Sequence, residues 1–107
     1  MISQETVNAI IKMRDDRDWG KFHTPANLAK SIAIEAGELL ECFQWSESDC
    51  KPDHIREELA DVLIYCTDLL LAMNLDADEI IQAKIRQNEA KYPVEKAKGN
   101  NIKYTDF

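Results

Sequence analysis

The chain has 107 residues, 45% of them hydrophobic, which is enough for one domain with a small core. Three Gly and three Pro favour helix over sheet, and no stretch has the length and hydropathy of a membrane span or of a basic, apolar leader, so the expectation is a single all-α, cytoplasmic domain without membrane contact. The formal net charge of −7 is concentrated between Glu35 and Asp61, where nine acids face only Lys51 and Arg56, and this excludes a nucleic-acid backbone as partner because such a partner needs clustered cations.

Ser3 is placed to cap a first helix over about residues 3–17, with Val7, Ile10, Ile11 and Arg14 at helical spacing. Gly20 breaks the pattern, and Trp19-Gly20-Lys21-Phe22-His23 reads as a loop whose rings either pack on the helices or form the wall of a ligand pocket. Thr24-Pro25 starts a second helix over about 25–43, with Thr as cap and Pro in the first turn. Gly37 inside it costs about 1 kcal/mol against Ala, which a close approach of another helix or a ligand would explain, as would chance. A polar segment from Gln44 to Lys51 follows, interrupted by Trp45, which is either a core anchor or a stacking surface.

Pro52 opens a third helix over about 52–73. Ile55, Leu59, Val62, Leu63, Cys66, Leu69, Leu70 and Met73 form its stripe, and Ile64 and Leu71 lie outside it. A helix apolar on more than one side asks for burial on more than one side, so at least a homodimer is expected. Asp76 and Glu79 form a capping box for a fourth helix over about 77–92, ended by Pro93. Lys84 and Asn88 share one of its faces, and the tail 93–107 carries Lys96, Lys98, Lys103 and Tyr104, with Gly99 in a turn. Cys42, Cys50 and Cys66 are odd in number, show no metal-binding spacing and read as reduced thiols.

The chemistry concentrates in two acidic pairs, Glu35-x-x-Glu38 and Glu58-x-x-Asp61. Residues three apart on a helix lie about one turn from each other on one face. Glu35 points with Leu28, Ile32 and Leu39, and Glu58 points close to Val62 and Leu69; Glu38 and Asp61 lie on the shoulders of the same stripes. Four carboxylates on or beside buried faces repel unless a cation neutralises them. A donor set of hard oxygens without Cys or His points to Mg²⁺ or Mn²⁺. Tyr65, four residues after Asp61, either borders that site or is a buried Tyr with a satisfied hydroxyl.

The paired acids resemble the signature of MazG-type nucleotide pyrophosphohydrolases, members of the all-α NTP pyrophosphatase superfamily. The likeness extends over about residues 10–105. Asp18-Trp19, Phe22-His23-x-Pro25-x-Asn27-Leu28, Glu38-Leu39, Phe43-Gln44-Trp45, Glu57-Glu58-Leu59-Ala60-Asp61-Val62-Leu63-Ile64-Tyr65, Lys84-x-x-x-Asn88, Tyr92-Pro93 and Lys103-Tyr104 together resemble the dCTP pyrophosphatase branch. The resemblance implies a four-helix bundle assembled as a homodimer or homotetramer, with Glu35, Glu38, Glu58 and Asp61 as Mg²⁺ ligands. It implies that Trp19 and Trp45, with Tyr65, surround the nucleobase and sugar, that His23 borders the same pocket, and that Lys84 and Asn88 contact the nucleotide. The expected reaction cleaves a nucleoside triphosphate, dCTP or a modified dCTP, to the monophosphate and pyrophosphate, with Glu38 also orienting the water. Two rivals remain at this point. A di-iron carboxylate bundle would need Glu-x-x-His pairs, which are absent. A non-catalytic acidic helical module would bind a basic partner through the same patch.

Overall fold

The computed structural model describes residues 2–45 and 51–107. Among them every regular element is helical, so the all-α expectation holds. In chain order these are α1 (Gln4–Asp16), a 3₁₀ turn (Trp19–Phe22), α2 (Pro25–Glu41), α3 (Pro52–Ala72), α4 (Ala77–Lys91), the short α5 (Val94–Ala97) and a last 3₁₀ turn (Tyr104–Asp106). Part of the polar segment expected after α2, with Cys50, lies outside the described residues. Among the described residues, no helix is long and apolar enough to cross a membrane.

The chain divides into two compact units, residues 2–75 and 76–107. The first is built on α3, against which α2 packs along much of its length and α1 more locally. Its helices start where side-chain acceptors meet otherwise unsatisfied backbone donors. Ser3 Oγ accepts from Thr6 N at 3.2 Å, and Thr24 Oγ1 accepts from Asn27 N at 3.2 Å. Between α1 and α2, Asp18 takes a left-handed conformation (φ 55°), which short polar side chains tolerate and which turns the chain into the 3₁₀ segment. Asn27 Nδ2 then donates to Phe22 O at 3.0 Å and ties that segment to the start of α2. At the end of α3, Asn74 (φ 52°) makes a left-handed C-terminal stop, with Leu75 N donating to Leu70 O and Asn74 N to Leu71 O.

The most buried positions of this unit come from all three long helices: Ile10 on α1, Leu28 on α2, and Thr67 with Asp68 on α3. Two of the four are polar. Thr67 satisfies its own hydroxyl by donating to Leu63 O at 2.8 Å. Asp68 has no comparable solution.

In the second unit, Asp76 caps α4 by accepting from Asp78 N at 3.2 Å. Past Pro93 the chain forms α5, turns at Gly99 (φ 82°), and brings the Tyr104 and Phe107 rings edge-on to Tyr92, with centroids 5.8 and 5.7 Å apart. Lys91 Nζ lies 5.0 Å over the Tyr104 ring.

Candidate metal and nucleotide site

The pairing of α2 with α3 brings together carboxylates that are twenty or more residues apart in sequence. Glu35 and Glu38 from α2 and Glu58 from α3 each offer an oxygen, and these atoms lie within 4.8 Å of one another. Glu35 and Glu58 are half-buried, whereas Glu38 is exposed. Asp61 is exposed and stands outside this tight set, although its charge acts on both Glu35 and Glu58. The division follows from helix geometry: Glu35 and Glu58 sit within the packed stripes and Glu38 and Asp61 on their shoulders.

The electrostatics are those of crowded anions. A hydrogen bond with the neighbouring Glu38 carboxyl, then burial, then the charges of Glu38, Asp61 and Glu58 push Glu35 up from 4.5 to about 7. Burial, followed by Glu38, raises Glu58 as well. Glu35 Oε2 and Glu58 Oε2 are buried without a hydrogen-bond partner. Among the described residues the ion pairs formed by Lys12, Arg14, Lys21 and Arg56 all go to other acids. Orphaned carboxylate oxygens, repelling one another in a hard-oxygen cluster, fit a divalent cation such as Mg²⁺.

Beside the cluster are two cavities that share Trp19, His23 and Tyr65. One, of about 300 Å³, is completed by Phe22, Asn27, Leu28 and Ser31. The other, of about 260 Å³, is completed by Met13, Arg14, Asp61, Ile64 and Asp68. Asp61 thus belongs to the wall that joins the acidic helix pair to the ring-lined space. Trp19 is held with its ring under Arg17, whose guanidinium carbon is 5.5 Å from the ring centroid. Burial, with the nearby carboxylates, raises the Tyr65 hydroxyl above its ordinary value and keeps it a neutral donor.

Among the expected site residues, Glu35, Glu38 and Glu58 meet in one cluster, and Asp61, Trp19, His23 and Tyr65 line cavity walls. Trp45 follows α2, is 86% exposed and lines neither cavity. Lys84 and Asn88 lie one turn apart on α4 in the second unit, where Lys84 Nζ donates to Gln87 Oε1 at 3.4 Å. Sequence reasoning passed over Arg14 and Asp68. The available signal for Asp68 was its offset of seven residues from Asp61, which returns it to the same side of α3.

Fold and site together define an all-α protein with a carboxylate cluster that could hold a cation next to a pocket walled by aromatic rings. The family model of MazG-like proteins matches residues 30–107, and the chain belongs to the MazG-like family. It is 39% identical over 102 residues to dCTP pyrophosphatase 1 of Mus musculus and 36% identical over 102 residues to that of Homo sapiens, in each case across 86% of this chain and 59% of the relative. The chain therefore spans about three-fifths of the length of these curated relatives. Among solved structures, a pyrophosphatase from Archaeoglobus fulgidus is similar, with a TM-score of 0.79 and 41% identity over 84% of this chain and 91% of that one.

Proposed function

We propose that the chain acts as a single MazG-like domain, a Mg²⁺-dependent pyrophosphohydrolase that cleaves a nucleoside triphosphate, dCTP or a modified dCTP, to the monophosphate and pyrophosphate. The observation that carries this reading is the trio Glu35, Glu38 and Glu58, with two buried carboxylate oxygens left without partners on a packed helix pair. The names of the mouse and human relatives and of the archaeal structure support the reaction class, and those of the mammalian relatives support the deoxycytidine substrate.

Glu35, Glu38 and Glu58, with Asp61 at the edge, would hold the cation, which when bound neutralises charge on phosphate oxygens and acidifies water. The residues themselves do the rest. Glu38 is the exposed member of the trio, so its carboxylate can accept a hydrogen bond from a water and hold it in line with the phosphorus under attack. The half-buried Glu35 and Glu58 would fix the position of that cation from the packed side of the cluster. Trp19, His23 and Tyr65, which line both cavities, receive base and sugar. Leu59 and Leu63, both 44% exposed on α3, support a homodimer or homotetramer, in which a second copy covers that face.

The test is release of pyrophosphate from a panel of deoxynucleoside triphosphates with Mg²⁺ and with chelator. Release from dCTP that depends on the cation is the expected result. No release from any nucleotide by a folded protein would leave the acidic interaction module as the better reading.

A further inference from the structure

Asp68 has no part in the scheme above, yet it is the least explained group in the first unit. It is 4% exposed, and its Oδ1 is buried with no hydrogen-bond partner. Among the described residues no cation comes within ion-pair distance of it. A buried, unpaired carboxylate is strongly unfavourable for folding, so packing alone does not account for it. Asp68 lines the cavity of about 260 Å³ together with His23, whose Nδ1 is likewise buried without a partner. The lining of that cavity therefore includes a carboxylate oxygen and a ring nitrogen able to donate or accept, both without partners. A planar ligand that presents a donor next to an acceptor would satisfy both.

The placement along α3 says which part of a nucleotide that is. Asp68 follows Asp61 by two helical turns, about 10 Å along the axis and within about 20° of the same direction. Both residues line the same cavity. A nucleotide whose phosphates lie at the acidic cluster would carry its base past Trp19 and Tyr65 toward Asp68. We infer that Asp68 is a specificity-determining residue: its carboxylate accepts a hydrogen bond from the exocyclic amine of a cytosine ring while His23 addresses the adjacent ring nitrogen. Uracil puts a carbonyl oxygen where cytosine has the amine, so two acceptors would oppose each other and the pocket rejects it. Burial raises the Asp68 carboxyl above its ordinary value, and the charges of His23 and Arg14 offset part of that rise.

This assignment rests on the proposed hydrolase reading, and the experiment separates the two. Asp68→Asn keeps the shape but supplies both a donor and an acceptor, so it accommodates either pyrimidine. Pyrophosphate release from dCTP and dUTP is measured for the wild type and Asp68→Asn. The ratio of kcat/KM for dCTP over dUTP is expected to fall about tenfold or more in the variant, chiefly through KM. An unchanged ratio overturns the assignment, as does a variant that melts higher and discriminates as before. Binding of dCMP and dUMP to the wild type is measured alongside by calorimetry, which needs neither turnover nor a folded variant. Tighter binding of dCMP supports the assignment even if no triphosphate is cleaved, a result that would sink the hydrolase reading alone. Equal binding of the two monophosphates overturns it even if cleavage is robust.

Discussion

Glu35 gives the most direct handle on the acidic cluster. Its carboxyl is raised from 4.5 to about 7 by Glu38, by burial and by the surrounding acids. A cation that binds the carboxylate must first displace that proton, so its apparent affinity follows the ionised fraction. With a pKa of about 7, Glu35 is roughly one-tenth ionised at pH 6, half at pH 7 and nine-tenths at pH 8. The apparent Kd for Mn²⁺ or Mg²⁺ should therefore be about tenfold weaker at pH 6 than at pH 8. The upward shift of Glu58 acts in the same direction and steepens the dependence. About one proton should be released per cation bound at pH 6, and only about a tenth of one from Glu35 at pH 8. Calorimetric titrations in two buffers of different ionisation enthalpy read both the affinity and the proton release. Glu35→Gln should bind the cation more weakly and lose most of the pH dependence. Equal Kd values at pH 6 and 8, with no proton release, would refute the argument that crowding in this trio stores a cation site.

Glu38→Gln should lower turnover of the triphosphate by about a hundredfold or more while circular dichroism shows intact helices; activity near wild type would remove Glu38 from the mechanism. In the cation-free protein, the raised Glu35 favours the fold fully below pH 4.5 and loses that contribution as pH rises through about 7. The melting temperature without cation should accordingly drop across that window relative to Glu35→Gln, and Mg²⁺ should restore it at pH 8; identical melting with Mg²⁺ and with chelator would disprove the repulsion. Leu28 is 1% exposed and lines the cavity of about 300 Å³, so Leu28→Ala should destabilise by about 2–5 kcal/mol in denaturant melts and raise KM. A Cβ at Gly37 would meet nothing within 4 Å, so Gly37→Ala should stabilise the isolated chain by about 1 kcal/mol; a drop in melting temperature would place a second copy against that face.

Helix content and its starting signals were legible because they depend on near neighbours. Ser3, Thr24 and Asp76 each satisfy a donor two or three residues away, and such contacts are written in local spacing. Gly37 shows where the same reasoning stops. Its expense in a helix is consistent with a close approach or with chance, and the space around it is open among the described residues. Trp45 and Trp19 were alike as candidate stacking rings, but one is 86% exposed and the other lines both cavities beneath Arg17.

By itself the sequence determined an all-α chain, the two acidic pairs, and which carboxylates point along packed stripes. These are consequences of 3.6-residue periodicity, which is local. Only the tertiary structure decided that Glu38 joins Glu35 and Glu58 in one cluster while Asp61 stands outside it, and that Asp68 is more deeply buried than any of them, with Oδ1 left without a partner. Those outcomes depend on how α2 lies against α3, and on how α1 and the Trp19–Phe22 turn pack beside them. Distance between helices and burial beneath them are set by side-chain packing between residues far apart in the chain, which periodicity does not encode.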